Sequence, residues 1–204
     1  MATQTAEAPV RVTGNGSRGA SLVLLGGLCG LAWAAGLRGF MAQIVHEDSS
    51  VSWSGTFGYI LLPGVLIGLL LGWAEHLRRT GGRRGWRWLA LSPLLFAAIL
   101  FSEGPLEVLG IFEDGLGGGA IGVPLYAMAG GYAISKRGPR WGRLACGVLA
   151  LTVIPIWALT VESFAGAGLA VTTPRGLWVA LYYYSFLALF MVAAAIPHRT
   201  AVDK

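Results

Sequence analysis

Long uncharged apolar runs alternate with short charged loops along this chain. The runs cover residues 19–37, 49–74, 88–102, 115–135, 144–161 and 176–198. A helix that crosses the roughly 30 Å hydrocarbon core of a bilayer needs about 17–25 apolar residues at about 1.5 Å each, so the pattern predicts six helices. None of the runs alternates apolar with polar as a barrel strand does, and lipid offers no partner to open backbone N–H and C=O groups. The expected fold is all-α, a polytopic transmembrane bundle of six spans over residues 19–198. A polar, mobile tail at 1–18 precedes it and a short tail at 199–204 follows.

Composition agrees. The 204 residues are 55% hydrophobic and only 12% charged, about half the charge of a soluble domain, and mean hydropathy is +0.65. The net charge of +5 is explained by placement rather than by nucleic-acid binding. Of the 15 Lys and Arg, all but Arg38 and Arg175 fall in the tails, in loop 78–87 or in loop 136–143, which six spans put on one side. By the positive-inside rule that side is cytoplasmic, giving an N-in/C-in topology in the cell membrane. Anionic lipid headgroups are the expected partners of these Arg-rich loops. The loops resemble each other, and each follows a Pro-containing helix (Pro63, Pro124). A duplicated hairpin and independent use of Gly, Arg and Trp at an interface both account for that.

The first run also imitates a secretory signal, with Arg11 and Arg18 ahead of it and Ala32-Trp33-Ala34 near its end. Its 19 residues exceed the usual signal core of about 7–15, so a retained span is expected. Gly14, Gly16 and Gly19 match G-x-G-x-x-G, but without the preceding strand that a dinucleotide site needs. Cys29 and Cys146 fall inside spans and read as buried thiols. His46, His76 and His198 lie at or beyond span ends on different elements. No cofactor or metal is expected, and the common hydrolase, zinc-protease and P-loop signatures are missing from the sequence.

Small residues recur every four positions: Gly26, Gly30 and Ala34 in the first run, Gly64, Gly68 and Gly72 in the second, Gly118 with Gly122 and Ala127 with Gly131 in the fourth. Such faces allow close helix contact in lipid, within the bundle, in a homo-oligomer or against a partner. Arg38 continues the first stripe by one more step of four and so faces the bundle near its outer end. An intramembrane cation is a functional candidate; a structural Arg that snorkels or closes a salt bridge is the alternative.

Glu103 is the expected partner of Arg38, because only 15 uncharged residues separate it from Arg87, a helix of about 22 Å. Glu162, Glu107, His46 and Arg175 join the same outer layer, read either as a vestibule for a polar solute or proton or as a neutralised ring of helix ends. Residues 104–112 and 163–174 are too short to span and are expected in the interface or as re-entrant pieces. Tyr182, Tyr183 and Tyr184 face about 100° apart on a helix, so they cannot line one cavity together. Tyr183 completes the candidate set with Arg38, Glu103, Glu107 and Glu162. Trp53, Trp86, Trp88, Trp141 and Trp178 read as an aromatic belt, and Glu75 is spaced to pair with Arg78 and Arg79.

Over residues 30–63, Ala32-Trp33-Ala34-Ala35-Gly36-Leu37-Arg38-Gly39-Phe40-Met41 followed by Ser52-Trp53-Ser54-Gly55-Thr56-Phe57-Gly58 resembles small multispan membrane proteins of high-GC Gram-positive bacteria. The resemblance implies a cell-envelope setting and no activity. Three functions stand open in this order: a solute or ion transporter, channel or binding protein with its site in the outer layer; an accessory subunit docking onto another membrane protein; and a membrane enzyme acting on lipid or envelope precursors.

Overall fold

The computed structural model describes residues 14–45, 49–101 and 116–202 and, within them, is all-helical. Helix α1 spans Gly14–Val45. Helix α2, Trp53–Arg79, opens as a π-helical stretch, Trp53–Leu61, and continues as α-helix over Leu62–Arg79. Helix α3 starts as a 3₁₀ segment, Trp86–Leu94, and becomes α-helical over Leu95–Phe101. Helices α4 (Leu116–Ile134), α5 (Arg140–Ala165) and α6 (Pro174–Ala194) complete the set.

Among the described residues each apolar run of the sequence falls mainly in a helix, but the helices are unequal. Those at Arg18–Val45, Trp53–Arg79, Arg140–Ala165 and Pro174–His198 are long and apolar enough to cross a membrane; Trp86–Ile99 and Gly119–Ile134 are shorter. Helix α1 begins at Gly14, ahead of the apolar run, so Gly14, Gly16 and Gly19 are helical residues and not a phosphate loop. Gly19 packs against the imidazole of His76.

Caps and breakers set the boundaries. The Ser52 hydroxyl accepts from Gly55 N at 3.0 Å and starts α2. Thr173 does the same for α6 through Gly176 N, with Pro174 in the first turn, where its missing N–H costs nothing. Gly85, at φ +83°, turns the chain into α3. Pro93 inside α3 removes a backbone donor, consistent with the tighter 3₁₀ winding there. At Thr152, ahead of Pro155, the α-helical pattern of α5 is interrupted for one residue.

The most intimate packing is α1 on α2. A Cβ on Gly26 would run into the carbonyl oxygen of Gly68, one on Gly30 into that of Gly64, and one on Gly68 into that of Gly26. Ala34, fully buried, sits over Gly64. The two small-residue stripes thus close on each other within the chain. In α4, Gly131 lies against the backbone of Ala194 and Ala195 in and just beyond α6.

Aromatic rings fill the space between α1, α5 and α6. Trp33 packs on Phe190 at 4.5 Å and on Phe96 at 5.6 Å between ring centroids, and its indole N–H donates to the Phe186 carbonyl at 2.7 Å. Trp33→Phe keeps most of the contact area but drops this bond, so it is expected to cost about 1 kcal/mol, read as a lower melting temperature in detergent. Residues 166–172, beyond α5, fold back so that Leu169 is buried against Phe40, Trp157 and Val161. This part of 163–174 is packed loop. The companion expectation at 104–112 lies outside the described residues.

Candidate functional site

The outer layer is built from α1 upward. The α1/α2 seam carries Arg38 to the start of α2. There Nη1 donates to Ser49 Oγ at 2.9 Å, Nη2 to the Ser50 carbonyl, and Nε to Thr56 Oγ1 at 3.4 Å. Thr56 is one of the few buried polar residues. The guanidinium thus pins the linker between α1 and α2 with neutral oxygens. Glu162 is exposed on α5 and is not among these partners. Arg175 is exposed in the first turn of α6. Glu103, Glu107 and His46 lie outside the described residues, so of the expected layer the structure brings together Arg38 and three oxygens that sequence reasoning did not single out.

Beneath Arg38 the three tyrosines diverge as their spacing requires. Tyr182 donates to the Gly36 carbonyl at 2.7 Å and Tyr184 to the Ile154 carbonyl at 3.2 Å. Tyr183 clusters with Phe40 and Trp157, stacking on them at 5.1 and 4.8 Å. Its ring is part of the aromatic core rather than of a polar layer. Trp157 Nε1 is buried without a hydrogen-bond partner among the described residues.

The opposite end gathers the basic segments. Val202 N donates to the Arg78 carbonyl at 2.9 Å, His198 packs edge-on to Tyr132 at 5.4 Å, and His76 touches Gly19. These contacts draw together the start of α1, the end of α2, the end of α4 and the C-terminal segment. Glu75 holds Arg78 and Arg79 at 2.7 Å each, as its spacing predicts. Arg143 donates to the Ala133 carbonyl at 3.0 Å, closing loop 136–139 back onto α4. Of the tryptophans expected in a belt, Trp53, Trp88, Trp141 and Trp178 are exposed, whereas Trp86 is only 8% exposed and anchors its loop. Among the described residues no three His, Cys, Asp or Glu side chains group as a metal site would need.

Comparison with known proteins finds no family, no curated protein and no solved structure that this chain matches.

Proposed function

We propose that this chain is an integral protein of the cell membrane with six spans and both ends in the cytoplasm, acting as an accessory subunit that docks onto another membrane protein. The observation that carries the role is the state of Arg38. The cation that continues the small-residue stripe of α1 at its outer end is engaged by Ser49, Ser50 and Thr56 as a brace for the α1–α2 linker, above a core packed with rings. A guanidinium held by three acceptors of its own chain is less free to bind a charged solute. This ranks the accessory role above the outer solute site that the sequence alone favours.

Two further observations support the reading. The first span has 11% of its apolar window buried and Arg140–Ala165 has 22%, against 39% for the other two long helices, so these two leave the most surface for a neighbour. The basic segments share one end of the bundle, which supports N-in/C-in, and the six-span reading rests on the third and fourth apolar runs of the sequence, where the helices Trp86–Ile99 and Gly119–Ile134 are shorter. The resemblance of residues 30–63 makes a bacterial envelope the proposed setting.

Two probes test it. Thr56→Cys, in a chain lacking Cys29 and Cys146, keeps Arg38 and places a thiol beside it; it is expected to resist an impermeant maleimide while Ser50→Cys, in the exposed linker, reacts. A photo-crosslinking residue at the exposed Leu159 is expected to give one adduct of constant mass in native membranes. Fast labelling at position 56 with no adduct at 159 would replace this role with the second reading, a solute-binding or transport protein. That reading is favoured by the partial exposure of Arg38.

A further inference from the structure

We propose that the loop joining α2 to α3 is a binding site for the phosphate headgroup of an anionic phospholipid, with Arg83, Arg84 and Arg87 as the phosphate ligands and Trp88 covering the upper acyl chain. The inference rests on the chain lying in a bilayer and not on its having a protein partner.

The loop is built rigidly. Gly81, Gly82 and Gly85 take φ of +93°, +76° and +83°, values that other residues adopt only at a cost. Gly82 N donates to the Leu77 carbonyl at 2.8 Å, and Trp86 N to the Arg83 carbonyl at 3.1 Å. The buried Trp86 indole lies directly over Gly82, and Ala201 of the C-terminal segment packs on the same glycine. A loop fixed at both ends and plugged by a tryptophan holds its outward side chains in a defined set.

Among the described residues those side chains are cations without compensation. Arg83, Arg84 and Arg87 are exposed, and the nearby carboxylate, Glu75, is already shared by Arg78 and Arg79. Among the described residues no acid faces the three. They border a cleft of about 600 Å³ together with Gly82, Trp88 and Leu91. A smaller one, of about 240 Å³, shares Arg83, Arg84 and Trp88 with it and is also lined by Trp73, Leu77 and Leu89. Both clefts are therefore lined by arginines together with aliphatic or indole side chains. Trp88 is 76% exposed and Leu91 44%.

This polarity fits a lipid. Guanidinium forks match phosphate oxygens in bidentate geometry, while the apolar floor matches the first methylenes of an acyl chain. A soluble phosphate would leave Leu91 and Trp88 facing water, and a nucleic acid would have no use for the floor. The second basic loop is a built-in comparison: Arg143 there is spent on the Ala133 carbonyl, so its charge closes a turn instead of lining a cleft.

The test uses the full-length chain in nanodiscs of phosphatidylcholine containing a minor share of phosphatidylglycerol, with co-released lipid counted by native mass spectrometry. Phosphatidylglycerol is expected to be enriched on the protein. Each surface Arg contributes about 1 kcal/mol toward anionic lipid, or about fivefold. Arg84→Gln should therefore lower the enrichment about fivefold and the triple variant Arg83→Gln/Arg84→Gln/Arg87→Gln roughly a hundredfold. Arg137→Gln/Arg140→Gln, which removes two cations from the other loop, should lower it less than Arg84→Gln alone does. Trp88→Ala removes no charge and is expected to lower retention severalfold; with Arg84→Gln it carries the test should the triple variant fold poorly. Equal enrichment in wild type and variants, or an equal loss in the Arg137/Arg140 control, overturns the site in favour of diffuse charge attraction. Complete displacement of the lipid by inorganic phosphate overturns the lipid and leaves a free-phosphate site.

Discussion

Gly68→Ala is expected to destabilise the detergent-solubilised protein by about 2 kcal/mol, while Gly147→Ala leaves it unchanged or stabilises it by up to about 1 kcal/mol. The two changes add the same methyl group to a helix, and helix propensity favours both. They differ in what the methyl meets. At Gly147 it finds the Ala133 side chain at 3.6 Å, an ordinary contact. At Gly68 it meets the Gly26 carbonyl oxygen, and the Gly30 Cα lies 2.9 Å away. Those are backbone atoms that cannot swing aside, so α1 and α2 must separate along the whole seam and lose dispersion contacts that lipid does not replace. Thermal unfolding of the two variants against wild type measures the difference. Equal effects at both positions would mean that the seam is not the tight contact described.

Arg38→Ala is expected to cost about 2–3 kcal/mol, in the range for losing hydrogen bonds to a charged group and stranding a buried hydroxyl at Thr56. Arg38→Lys should recover only part of it. A lysine ammonium is a compact point charge on a flexible stem, whereas the three acceptors at Ser49, Ser50 and Thr56 are distributed around a planar fork. The second readout is local: amide exchange over residues 50–56 should accelerate in Arg38→Ala more than in the middle of α6. If stability and exchange are both unchanged, the guanidinium is not a brace, and a solute site regains its claim on Arg38.

Much of the architecture was legible because lipid makes hydrophobic runs long and unambiguous. The apolar pattern located each helix, the spacing of Glu75, Arg78 and Arg79 gave the ion pairs, and the 100° rotation per residue gave the divergence of Tyr182, Tyr183 and Tyr184. Three things were not legible, each for a physical reason. Helix α1 extends back to Gly14 because backbone hydrogen bonding continues past the apolar residues, which hydropathy does not register. The partner of the Gly26, Gly30 and Ala34 stripe was open, since small residues permit close approach without specifying to what; the geometry assigns Gly64, Gly68 and Gly72. Arg38 drew attention to acids, because opposite charge is the conspicuous feature of a sequence. The oxygens it uses belong to serines, a threonine and a backbone carbonyl, which resemble any linker. Trp86 shows the same limit: two tryptophans two residues apart read alike, yet Trp86 is buried and Trp88 is exposed.

The Gly26/Gly68 seam bears on how the protein is made. All of its contacts lie ahead of residue 80, between two helices joined by a short linker that Arg38 itself fastens. Synthesis from the N-terminus delivers both halves of the seam before α3 leaves the ribosome, so the pair is able to insert and close as one hairpin. The closed pair presents Trp33 and Phe40 on the side against which the aromatic rings of α3, α5 and α6 pack.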